Sequence, residues 1–396
     1  AKSMMQEMCS TMAINKLKQD RSPMKNIMDN IKRLKDQGRK VIGCFPLYPP
    51  LELFHSMGLA PVTLWGLRDS LPRVAESDRH IQPYACSVAR RLMEFLLKEN
   101  SSALDGLFMY NACDTLRNLP EIIDCGLADA GRPPLPIFKM HIPAVPPDQT
   151  DSRPYLRASI EGLIGELEKT CNVTFAPDKF RRSVSLYREM RELSKMLFAS
   201  VADGSMSYGE FSRIVTEGWF IPVEDQLLVL QSALRDNFRK KTKPSPESPR
   251  VVVSGILPPP LPMIRDLENA GITVVGNDVA SQNRALHYSP PAVDDPAEYY
   301  IDFYHHHYPC TTLLHSADRR LPAIRKLVSD TGARGVVFVG EKFCEYEYFE
   351  FPYLEQILKE MGIRALLLDI SLDDDENTAA YTTRIETFAE LMHSTV

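Results

Sequence analysis

Three cysteines, distant from one another in the chain, stand in one local setting. Cys86 in "QPYACSVARRLMEFLL" opens an amphipathic helix, Cys113 in "LFMYNACDTLRNL" follows an apolar strand and opens a helix, and Cys344 in "VVFVGEKFCEYEYFEF" lies between a buried strand and a helix. A helix N-terminus carries free N–H groups and the positive end of the dipole, so a thiol placed there is expected to ionise more readily. Three thiolates meeting in one crevice suit an iron–sulfur cubane with one iron free of any protein ligand, open to a substrate oxygen. The same placement also suits a small core residue, because free cysteine is among the most buried residue types. Zinc is a weaker fit, since structural zinc takes four ligands, usually in short-spaced pairs. Of the other five cysteines, Cys9 in the leading helix, Cys44 on a strand, and Cys125 and Cys171 at helix ends read as structural. Cys310, in "HHHYPCTT", stays open between the two readings.

Other side chains also carry two readings. Glu52, in "PPLELF", falls in the first turn of a helix at the same crevice edge. There a carboxylate could shuttle a proton to a bound substrate or simply complement the helix dipole. The run His305, His306, His307 invites a metal claim, but three consecutive side chains cannot all point at one ion, so a polar turn is expected. Asp114 and Arg117 read as a capping and surface pair on the helix after Cys113. "SGILPPP" lacks the spaced glycines of a phosphate loop, and no Walker or GxGxxG pattern occurs, so ATP hydrolysis by this chain is not expected.

The elements that must position these residues alternate. "VIGCFPL", "APVTLWG", "LDGLFMY" and "PIFKMHIP" read as strands, separated by the helices "PLELFHSMG", "CSVARRLMEFLLKE" and "CDTLRNLPEIIDCG". From residue 250 the alternation returns, with "RVVVSGI", "ITVVGND", "RGVVFVG" and "IRALLLDIS" as strands. The expected fold class is therefore α/β, with two doubly wound, mostly parallel-sheet domains joined by a helical segment. The expected divisions are an N-terminal helical segment (1–38), a first α/β domain holding Cys86 and Cys113 (39–150), a helical segment (151–245) and a second α/β domain holding Cys344 (246–396). "KKTKPSPESPR" reads as a polar connector. In such sheets ligands bind at the carboxyl ends of the strands, where the three cysteines are expected.

Composition bounds the partners. The 396 residues carry 44% hydrophobic and 25% charged side chains, as in ordinary soluble proteins, with a formal net charge of −6. That charge, with no basic run, argues against nucleic acid. No apolar stretch approaches about 18 residues, and the start lacks a signal-peptide pattern, so the cytoplasm is the expected location. Eight cysteines over this length are too sparse for a disulfide scaffold.

The three cysteine segments, together with "PLYPPLELFHSMGLAPV" and "EKFCEYEYFEFPYLEQILKEMGI", resemble the family of benzoyl-CoA reductase and 2-hydroxyacyl-CoA dehydratase subunits, in order along nearly the whole chain. The resemblance implies a [4Fe-4S] cluster, or in some members a double cubane, held by Cys86, Cys113 and Cys344. It implies a related or identical second subunit and a separate ATP-hydrolysing iron–sulfur activator that delivers single electrons at very low potential. In the dehydratase branch that electron makes a ketyl radical of an acyl-CoA thioester; in the reductase branch it enters an aromatic ring. "CFPLYPP" has no Ser or Thr where several dehydratases are hydroxyl-rich, and "PY-x-C" and "KFCE" look closer to a reductase subunit, while "ACDTLR" looks as much like a dehydratase. A double-cubane protein or a non-catalytic electron-transfer subunit is the alternative from a different class.

Overall fold

The structure is a computed structural model describing residues 23–69, 71, 73–146, 149–237, 248–371 and 378–393. Cys9 and most of the polar connector lie outside the described residues. Among the described residues, eight strands form two four-stranded sheets. Strands β1 (Val41–Cys44), β2 (Ala60–Thr63), β3 (Gly106–Tyr110) and β4 (Ile137–Met140) lie in the order β2-β1-β3-β4. Strands β5 (Arg250–Gly255), β6 (Thr273–Val279), β7 (Gly335–Glu341) and β8 (Arg364–Ile370) repeat it as β6-β5-β7-β8. Every neighbouring pair is parallel. β1, β3 and β7 are buried along their whole length, which is why they read as continuous apolar runs rather than alternating ones. The chain leaves the first-formed strand to one side and then to the other, so a switch point lies between β1 and β3, and again between β5 and β7.

The longer helices among the described residues are α1 (Pro23–Asp36), α2 (Leu51–Ser56), α3 (Ser87–Phe95), α4 (Asp114–Asp129), α5 (Ser152–Cys171), α6 (Pro177–Ala202), α7 (Tyr208–Gly218), α8 (Val223–Asn237), α9 (Leu261–Asn269), α10 (Pro296–His306), α11 (Arg320–Thr331), α12 (Glu345–Glu360) and α13 (Thr378–His393). α5 to α8 form the helical stretch between the sheets. Local chemistry sets several ends. Ser207 caps α7 by accepting the Glu210 N–H at 3.1 Å, and Asp295 caps α10 by accepting the Ala297 N–H at 2.8 Å, with Pro296 at the first helical position. α4 and α12, which follow β3 and β7, each contain a proline, Pro120 and Pro352. The correspondence of the two halves thus extends from strand order to the helix that follows the third strand.

The first core takes in the second half of the chain as well. Tyr299, Tyr300, Phe303 and Tyr304 of α10 are buried in one cluster with Phe54, Phe108 and Phe138. The histidine run does not form the expected polar turn; it ends α10. His305 and His307 are buried, whereas His306 is exposed and pairs with Asp302 at 2.7 Å. A helix packed on both sides buries residues on opposing faces, and about 100° per residue sends the three rings in different directions. No helix among the described residues is long and apolar enough to cross a membrane.

Candidate functional site

Cys86, Cys113 and Cys344 are the residues immediately before α3, α4 and α12, each in an extended conformation with no side-chain cap bond. Cys113 follows β3 and Cys344 follows β7, so these two hold equivalent places in the two sheets, beside the switch points. Cys86 reaches the same region from the N-terminal end of α3. All three are half-buried and pack against the first core. Phe343, in the left-handed region at φ 66°, bends the chain out of β7, and Cys344 N–H donates to the Glu341 carbonyl at 2.8 Å.

The thiols do not ionise more readily than usual, contrary to the helix-terminus expectation. Burial pushes Cys86 up to about 12, against the N–H of Ala89, and Cys113 and Glu341 add to the rise. Burial also raises Cys113 and Cys344, and Cys344 feels Glu347, Cys86 and Cys113. Desolvation of a charge outweighs the helix terminus. The three thiols are thus close enough to oppose one another's ionisation, and a bound cation would reverse that balance. Among the described residues no group of three or more His, Cys, Asp or Glu is arranged to hold a single metal ion. The soft all-thiol donor set fits iron–sulfur better than a hard cation.

A buried polar chain runs beside the cysteines. Ser87 donates through Oγ to Glu341, which ends β7, and the Glu341 N–H donates to Glu347 at 2.7 Å. Glu347 also accepts the Ile256 N–H at 2.6 Å. Burial raises its carboxyl to about 8, with the Glu341 carboxylate adding to the rise and the two N–H groups opposing it.

Glu52 lies inside the first core at the start of α2. Arg191 of α6 donates to its Oε1, Tyr299 to the same oxygen at 3.1 Å, and Tyr300 to Oε2 at 2.9 Å. The Arg191 guanidinium also sits 5.6 Å from the Phe303 ring centroid. Beside this pair is a cavity of about 110 Å³ lined by Tyr48, Trp65, Trp219, Phe303, Arg191 and Ser281 among others. The Trp65 Nε1 and Ser281 Oγ atoms are buried without hydrogen-bond partners among the described residues. The cavity can therefore take an apolar group that carries an acceptor atom.

Cys310 is fully buried among charged groups. Arg284 donates to its Sγ at 3.4 Å, and Thr312 Oγ1 stands 3.2 Å away. Arg284 and Arg320 both donate to Asp278, at 2.8 and 2.7 Å, and Arg320 continues to Glu350 at 2.6 Å. Burial pushes Asp278 up, but the two guanidiniums outweigh it and hold the carboxyl well below the usual range. Cys44 and Cys171 are buried, Cys125 is exposed on α4, and Asp114 and Arg117 form an exposed pair at 3.4 Å.

Sequence reading missed Ser87, Glu341, Glu347 and Arg191. A glutamate closing the apolar run "GVVFVGE" was an available signal for Glu341. Arg191, one of several arginines on a long helix, carried none.

Residues 46–392 match the family model described as 2-hydroxyglutaryl-CoA dehydratase, D-component. The chain belongs to this family. It is 23% identical over 377 residues to the (R)-phenyllactyl-CoA dehydratase beta subunit of Clostridium sporogenes, covering 94% of this chain and 96% of that one. It is 23% identical over 380 residues to the beta subunit of (R)-2-hydroxyglutaryl-CoA dehydratase from Acidaminococcus fermentans, covering 90% and 94%. It is 25% identical over 326 residues to a benzoyl-CoA reductase subunit of Thauera aromatica, covering 81% and 82%. The resemblance read from the cysteine segments is thus confirmed at the level of the family.

Proposed function

We propose that this chain is the iron–sulfur subunit of an enzyme acting on CoA thioesters, by 2-hydroxyacyl-CoA dehydration or benzoyl-CoA-type ring reduction. Cys86, Cys113 and Cys344 would hold a [4Fe-4S] cluster. The carrying observation is that three thiols from both halves of the molecule occupy the same position before a helix and lie close enough to oppose one another's ionisation. Such a cluster would supply one-electron transfer and an iron open to a substrate oxygen. The chain's own residues do the rest. The helix N-termini of α3, α4 and α12 direct N–H groups toward the sulfurs, and the first core packs against the three cysteines. The cavity beside Arg191 accepts the apolar part of an acyl group, and Glu52 holds that guanidinium in place. Electrons would come from a separate ATP-hydrolysing activator, and a related or identical second subunit would complete the enzyme.

A second reading has an observation of its own. Both Glu52 oxygens are engaged by Arg191, Tyr299 and Tyr300, which leaves no idle carboxylate oxygen for substrate. That arrangement favours a subunit that carries the cluster and passes electrons while a partner subunit holds the acyl group. The test is anaerobic purification with iron, sulfide and EPR analysis, followed by acyl-CoA binding to the isolated chain. Iron with acyl-CoA binding supports the first reading, and iron without it supports the second. A protein that takes up no iron under reconstituting conditions overturns both.

A further inference from the structure

Cys86 and Cys344 lie on different halves of the molecule, one before α3 and one before α12, so their spacing depends on how those halves meet. One continuous run of buried hydrogen bonds joins them. Ser87, next to Cys86, donates to Glu341 across the halves. The Glu341 N–H donates to Glu347 in the first turn after Cys344, and Glu347 also takes the N–H of Ile256, just past β5. Ser87 is 4% exposed and Glu341 and Glu347 are each 2% exposed. At such depth a hydrogen bond lost without replacement carries the full desolvation cost of the stranded group. Gly255, at φ +143°, makes room for the arrangement: a Cβ there would stand 2.3 Å from the Val339 carbonyl oxygen and 3.4 Å from Glu347 Oε1.

We propose that Ser87, Glu341 and Glu347 are positioning residues, a latch that fixes the separation of Cys86 and Cys344 by tying the start of α3 to the turn between β7 and α12. Its link to metal rests on the reading of the cysteines as cluster ligands, but the latch itself concerns only this chain's own groups. Ser87 is the arm that crosses between the halves. Glu341 receives it, and Glu347 anchors the receiving turn to two strand ends. Partners that orient ligands from behind typically carry about 10- to 100-fold in metal affinity, so Ser87→Ala should weaken iron uptake on that scale.

The test compares the parent with Ser87→Ala, Ser87→Thr and Glu341→Gln. Spin labels are attached through keto side chains introduced at Tyr84 and Phe349, which are 64% and 80% exposed, so the native thiols stay untouched. Pulsed EPR on the metal-free protein then reads the separation of the two halves beside the cysteines. Ser87→Ala should lengthen and broaden the distance distribution while circular dichroism shows an intact fold. Ser87→Thr, which keeps the hydroxyl, should restore it, and Glu341→Gln, which keeps an acceptor, should fall between. An unchanged distribution in Ser87→Ala overturns the latch. Iron uptake measured on the same proteins separates the two levels. A changed distance with unchanged iron keeps the latch and sinks the cysteine assignment, whereas a loss of both, rescued by threonine, supports both.

Discussion

Glu52 and Arg191 form a buried ion pair, and its energetics follow from its surroundings. Removing one charge strands the other in the first core, a loss of about 3–5 kcal/mol, while replacing both with apolar groups often recovers stability. We therefore expect Glu52→Gln to lower the denaturant midpoint sharply and Glu52→Gln with Arg191→Met to regain much of it. If Glu52 also moves a proton, turnover of the single variant should fall by about 100-fold or more beyond the stability loss. Cys344→Ala should abolish most bound iron, whereas Cys125→Ala, on an exposed face, should retain it; full iron in the Cys344 variant would reassign the ligands. At this scale the sequence was legible where the signal was local. A strand, a cysteine and a helix in succession can be read from a dozen residues. The partner of Glu52 could not, because Arg191 stands 139 positions away on another element. The direction of the thiol shift was misread because burial, a property of the whole fold, outweighs the nearby helix terminus.

At the scale of elements, the strands and the helices that follow them were readable because a parallel sheet covered on both faces writes continuous apolar runs. α10 was not readable as a core helix, since its tyrosines and histidines look polar until they are seen packed against the first sheet. Its last turn makes a pH prediction. Burial pushes His307 down to about 3, against the pull of the Tyr308 carbonyl, with Arg191, His315 and His287 adding to the fall. His305 is lowered as well, to about 4, by burial and by His315. The unfolded chain takes up these protons first, near the ordinary histidine value of about 6.5. The contribution is thus present above that pH and is lost as the pH falls toward 3. Urea midpoints measured across this window should drop with acidification, and His307→Phe should flatten the slope. The close of β5 makes another prediction. Gly255→Ala combines an unfavourable φ with a clash against the neighbouring strand, and should cost more than about 1 kcal/mol in chemical denaturation.

Across the whole molecule, the two sheets share one strand order, and their third strands each deliver a cysteine to the start of a helix. That plan shows in the sequence as two blocks of alternation, but the contact between them does not, because it joins side chains far apart in the chain, such as the α10 tyrosines with the first core and Ser87 with Glu341. With no phosphate loop in the sequence, the proposed chemistry should need an external source of energised electrons. Turnover by the complete anaerobic complex should therefore require both activator and ATP, and omission assays should show each to be necessary. Sustained turnover in air, or ATPase activity of this chain alone, would overturn that reading.

The span between Ser87 and Glu341, 254 positions along the chain, also has a consequence for biosynthesis. Chains emerge N-terminus first, at about 5–20 residues per second, and contacts between distant segments close late because their loops are costly to order. Cys86 and Cys113 leave the ribosome well before Cys344 exists. A nascent chain therefore displays two thiols of the set with no third. The complete trio arises only once Cys344 has emerged and its segment has docked, so loading of any cofactor there waits for that docking. A chain stalled before residue 344 should carry none.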